Sequence, residues 1–211
     1  MTNNNHSWTD IFEPLGTTCE IGFVLQKLDS ARPSVFRWSG IRPADLRRLL
    51  DEKFHDAFAL ENLTPINAGM VLDSRYQWAF HSALKSDENG KFIAAPEDLS
   101  RMHRIERVRI INDIAEFQRR LTHGRIVCVL VAPSSTEEDL AKTLAAIDGY
   151  SGNQTNQLLL VTGPSGTAEV PGSVIRISPR IARGIVTRPA PYNLANDADY
   201  ENWENILRSF V

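Results

Sequence analysis

Two continuous apolar runs mark the second half of the chain, "IVCVLVA" at 126–132 and "QLLLVTG" at 157–163. Both have strand length, and "STEEDLAKTLAAIDGY" between them reads as a helix. Strand, helix, strand with uninterrupted apolar runs predicts a parallel pair buried on both faces. "SVIRISP" at 173–179 predicts a third strand. "DLSRMHRIERVRIINDIAEFQRRLTHG" at 98–124 predicts a long helix stopped by Gly124. Upstream, "GMVLDSRYQWAFHSAL" at 69–84 predicts two short strands around a turn near Asp73–Arg75. Pro43 opens a helix through residue 54, with Leu46, Leu49 and Leu50 on one face. Ile21, Val24, Leu25 and Leu28 recur at helical spacing, and Thr17 or Thr18 can cap that helix. A final stripe of Trp203, Ile206, Leu207 and Phe210 predicts a helix docked on the core. The pattern implies an α/β fold with a mostly parallel central sheet and flanking helices. Residues 1–10 read as a loose leader and 11–211 as one domain, with Cys19 at a helix N-terminus.

Composition narrows the function classes. An apolar share of 42% suffices for a sizeable core, and a net charge of −3 gives no general field for nucleic acid or an anionic membrane. No apolar run has the length of a membrane span, and the polar start "MTNNNHSWTD" lacks the pattern of a secretion signal. Two cysteines far apart make a poor disulfide framework, so the expected setting is reducing and cytoplasmic. The expected partner is an unknown peptide, acyl or glycan-related substrate, with neither nucleic acid nor membrane.

The residues offer three chemistries. His6, His55, His81, His103 and His123 form no short cluster with cysteine at zinc spacing, so neither metal nor cofactor is expected. "VTGPSGT" at 161–167 is a glycine-rich loop after a strand, but it lacks the Lys-Ser/Thr ending of a phosphate loop. A nucleophilic thiol is the third. Cys128 lies inside an apolar run and reads as core, whereas Cys19 follows Gly16-Thr17-Thr18 at the start of a helical stripe. A helix N-terminus favours the thiolate that such chemistry needs. The histidine best placed to serve it is His81, ending the alternating pattern "YQWAFH". Spacing alone favours the plainer reading of a buried Cys19 and a satisfied edge histidine at His81.

The stretches "LGTTCEIGFVLQKL", "FRWSGI", "FHSAL" and "RIERVRIINDI" together resemble a bacterial family of unknown function described as papain-like cysteine peptidases. The matching positions are Leu15, Gly16 and Cys19, then Phe36 and Trp38, Phe80 and His81, and Arg104 to Arg107. The resemblance implies a Cys19 nucleophile and a His81 base. The reaction would be acyl transfer through a thioester, with the N–H groups of Cys19 and Thr18 facing the oxyanion. Two departures stand out: Arg37 and Ser82 occupy positions where relatives carry aspartate. Asp73, Asn67 or Asp56 can replace the orienting carboxylate, and nothing in the sequence selects one. Arg37 either binds an acidic substrate group or packs on Trp38. Arg101, Arg104 and Arg107 either clamp an anion or form a solvated helix face. Two alternatives stand beside the thiol enzyme: a catalytically inactive binding module that retains the cleft, and a carbohydrate- or nucleotide-handling α/β protein using the 161–167 loop.

Overall fold

The computed structural model describes residues 7–67 and 69–211; His6 and the rest of the first six residues lie outside it. Residues 7–10, read as part of the leader, are ordered by contacts. Ser7 caps a short 3-10 turn over Trp8–Ile11, Thr9 is buried, and Trp8 meets Phe12 edge-on at 6.2 Å.

The elements follow in chain order as β1 (Phe12–Pro14), α1 (Glu20–Lys27), β2 (Ser39–Gly40), α2 (Pro43–Asp51), β3 (Leu63–Asn67), β4 (Met70–Asp73), β5 (Trp78–His81) and α3 (Pro96–His123). Then come β6 (Val127–Val131), α4 (Glu137–Ser151), β7 (Gln157–Thr162), β8 (Val174–Ser178), β9 (Ile181–Ile185) and α5 (Tyr200–Arg208). A five-stranded sheet has the order β1-β6-β7-β9-β8. Its first four strands are parallel to their neighbours, with Val127 opposite Gln157, and β8 runs antiparallel to β9. A second sheet, β2-β5-β4-β3, is antiparallel throughout. The five-stranded sheet is therefore mostly parallel, as expected, with one antiparallel strand, and the separate antiparallel unit is larger than the hairpin predicted at 69–84.

Alternation along the strands separates two cores. Val127, Val129 and Val131 face one way, onto Ile21 and Val24 of α1 and Trp203 and Ile206 of α5. Cys128 and Leu130 face the other, onto Leu140 and Ile147 of α4 and Phe117 of α3. That second core also takes in Leu63, Val71, Trp78 and Phe80 from the antiparallel sheet. Among the described residues no helix is long and apolar enough to cross a membrane.

Buried charges tie these layers together. Glu13 of β1 is paired with Arg120 of α3, both almost wholly buried. Glu20 accepts from the N–H of Ala190 at 3.0 Å and from the indole of Trp203 at 2.7 Å, joining α1 to α5.

Candidate functional site

The loop from β1 to α1 is held at every step. The N–H of Leu15 donates to Val129 O at 3.0 Å, and the N–H of Val131 donates to Thr17 Oγ1 at 2.9 Å. Gly16 adopts φ +71°, and its carbonyl accepts from Ile41 N–H at 2.6 Å. A methyl group at Gly16 would lie 2.5 Å from Ser39 Oγ, so only glycine lets the two segments meet. Thr18 Oγ1 accepts from the N–H of Glu20 at 3.2 Å.

Cys19 is the residue immediately before α1, with helical dihedrals and no side-chain capping bond. Its thiol is half-buried, and burial pushes the thiol above its ordinary value of 9.0. The expectation that the helix terminus favours a thiolate thus meets an opposing effect. Withdrawal from water penalises the anion. Cys128 is fully buried and pushed up to about 12.

Trp38 touches both the helix that follows Cys19 and the strand that carries His81. One turn along α1, the N–H of Phe23 donates to Cys19 O, and the Phe23 ring meets Trp38 edge-on at 4.9 Å. A methyl at Gly22 would lie 2.5 Å from Arg37 O and 3.0 Å from the Trp38 ring, so α1 lies directly against this segment. On the other side, the N–H of His81 donates to Trp38 O at 3.2 Å, and Ser39 pairs with Phe80. Among the described residues no hydrogen bond joins the Cys19 thiol to the His81 imidazole.

Arg37 settles between its two expected roles. It is buried, donates to the carbonyls of Arg32 (2.8 Å), Ser30 (2.9 Å) and Gly22 (3.3 Å), and lies 5.4 Å from the Trp38 ring. It braces the turn that presents Trp38. Ser82 is equally committed: its hydroxyl donates to Glu106 Oε2 at 2.6 Å, while the N–H of Ala83 donates to Glu106 Oε1 at 3.1 Å. Glu106 of α3 therefore fixes the chain just beyond His81. The four sequence blocks that carried the resemblance form one connected neighbourhood.

The three proposed replacements for the missing aspartates have other work. Asp73 is buried and accepts from the N–H groups of Phe58, Arg75 and Tyr76. Asn67 Oδ1 accepts from Gly69, and Asp56 pairs with His55. The carboxylate that shares a cavity with His81 is Asp113, which sequence reasoning missed. This cavity, about 200 Å³, is walled by Trp38, Trp78, His81, Arg109 and Asp113 among others. Burial raises the Asp113 carboxyl, with Arg109 at 3.8 Å acting against that shift. Trp78 Nε1 is buried with no partner among the described residues.

Other candidates fall outside this neighbourhood. Arg104 is exposed on α3, and Arg101 there pairs with Asp98. His103 is buried, stacked on Phe58 and hydrogen-bonded to its carbonyl at 2.8 Å. In the 161–167 loop, Ser165 donates its N–H and hydroxyl to Glu169, so an internal carboxylate takes the place of a phosphate. Among the described residues no group of three or more His, Cys, Asp or Glu can hold a metal ion. Compared with protein-family models, curated proteins and solved structures, the chain matches none.

Proposed function

We propose that the chain is a thiol enzyme of the peptidase or acyl-transfer class, with Cys19 as nucleophile and His81 as base. The observation that supports the reading is that Trp38 touches both segments: its ring meets Phe23, one turn along α1 from Cys19, and its carbonyl accepts from the N–H of His81. The thiol is neutral at rest, because burial raises it. Substrate docking beside Trp38 brings the imidazole onto the thiol. His81 then takes the Sγ proton as sulfur attacks the substrate carbonyl carbon. The leaving group departs with that proton, and a thioester remains on Cys19. Water or another acceptor, deprotonated by His81, attacks the thioester and returns the proton to sulfur. The N–H groups of Thr18 and Cys19 serve the oxyanion. The substrate is a peptide, acyl or glycan-related carbonyl compound, and the setting is the cytoplasm.

The test is acylation by p-nitrophenyl acetate, followed by mapping of the acetyl group. A thioester on Cys19 that is absent from Cys19→Ser supports the reading, and an unmodified Cys19 removes it. A second reading, an inactive binding module that keeps the cleft, is favoured by one specific observation. Arg37 and Ser82, standing where relatives carry aspartate, are both used up in bracing the fold.

A further inference from the structure

β1 and β6 are parallel neighbours, yet the chain leaves them toward opposite faces of the sheet. After β1 it turns to α1, packed with α5; after β6 it turns to α4, packed with α3. Such a divergence opens a crevice beyond the carboxyl ends of the two strands, where open α/β sheets bind ligands. Here the crevice is a cavity of about 540 Å³, a size suited to a small organic molecule. Thr17 comes from the first loop and Ser134 from the second, and Arg42, Gln77 and Tyr192 complete its polar lining. Among the described residues no carboxylate belongs to that lining. Arg42 Nε donates to Asp45 at 2.7 Å, but the side chain is 75% exposed, so the far end of the guanidinium stands in solvent.

We propose that this crevice binds a phosphorylated polyhydroxy molecule of sugar-phosphate size, with the phosphate on Arg42 and the hydroxyls on Thr17, Gln77, Ser134 and Tyr192. A guanidinium fork matches two phosphate oxygens at once, which a neutral side chain cannot do. Hydroxyl and amide groups both donate and accept, as sugar hydroxyls require. Thr17 Oγ1 already accepts from Val131 N–H and keeps its own proton to donate. The cavity is far larger than a bare anion needs. The site uses neither Cys19 nor His81, nor the 161–167 loop, and it stands whether or not the thiol reading holds.

Glucose 6-phosphate, glucose and inorganic phosphate, each titrated into the whole protein and followed by amide chemical shifts, test the proposal. Glucose 6-phosphate should perturb Thr17, Arg42 and Ser134 and bind at least about tenfold tighter than glucose or phosphate. Arg42→Ala should remove that advantage without changing the melting temperature, since the side chain is exposed. Tyr192→Phe should weaken glucose and glucose 6-phosphate alike. Three results would overturn the proposal. These are no response at those residues up to about 10 mM of any probe, undiminished binding in Arg42→Ala, or phosphate binding as tightly as the sugar phosphate.

Discussion

The indole of Trp203 donates to Glu20 Oε1 at 2.7 Å, joining residues 183 apart in sequence. Both side chains are wholly buried, and Glu20 directly follows Cys19. The C-terminal helix therefore holds the first turn of α1 in place. Trp203→Ala should cost about 3–5 kcal/mol from lost packing, with more from the stranded Glu20. A clear fall in melting temperature with a looser Cys19 environment is expected. An unchanged melting curve would mean that α5 is not part of the core.

Glu20 also sets a pH dependence. Burial raises its carboxyl above the ordinary 4.5, against hydrogen bonds from Trp203 and Ala190 that lower it, and Asp199 adds a smaller repulsion. A folded value above the unfolded one means that its contribution is fully present below pH 4.5 and is lost as pH rises through the folded value. Denaturation of wild type and Glu20→Gln across mildly acidic pH should show the stability of wild type relative to the variant declining as pH rises. A relative gain with rising pH would contradict the burial argument.

Asp73 should prove structural. It satisfies three main-chain N–H groups, among them that of Phe58, which sits at φ +60° in the left-handed region. Asp73→Ala should destabilise by at least about 2 kcal/mol, since buried donors are left without acceptors. Asp113→Asn, by contrast, should leave the melting temperature nearly unchanged and slow acylation of Cys19. The reverse pattern would exclude Asp113 from the site.

Much of this fold was legible in the sequence, and the exceptions have physical causes. The 126–132 and 157–163 runs gave β6 and β7 because strands covered on both faces have no polar side. The long helix and the C-terminal stripe were equally plain, although Phe210 is only partly buried. β3 was missed because "LTPIN" is a sheet edge, with Pro65 and the exposed Ile66 breaking the usual pattern. β9 was missed because Arg183 and Gly184 interrupt it. A methyl at Gly184 would come 2.7 Å from Ile206, so that glycine lets α5 approach the sheet. The segments that meet at Trp38 could be picked out as short blocks. Asp113 could not, since one acid among many on α3 carries no mark of the cavity it faces. The ionisation of Cys19 was misjudged because sequence reveals a helix start but not how far the residue is withdrawn from water.

The two cysteines should therefore separate by alkylation. In the native protein the Cys19 rate with iodoacetamide should still be rising at pH 9.0, and Cys128, buried and pushed up to about 12, should react only on unfolding. A Cys19 rate that plateaus at mildly acidic pH would show a resting thiolate and contradict the burial effect.

The central claim is that His81 activates a neutral Cys19 thiol, and the rate of Cys19 acylation by p-nitrophenyl acetate at neutral pH, wild type against His81→Ala, tests it most directly. General-base assistance of this kind contributes about 10²–10⁴-fold. The account predicts that His81→Ala, still folded, acylates slower by a factor approaching that range. An equal rate in the two proteins would contradict it and leave the binding module as the function of the cleft.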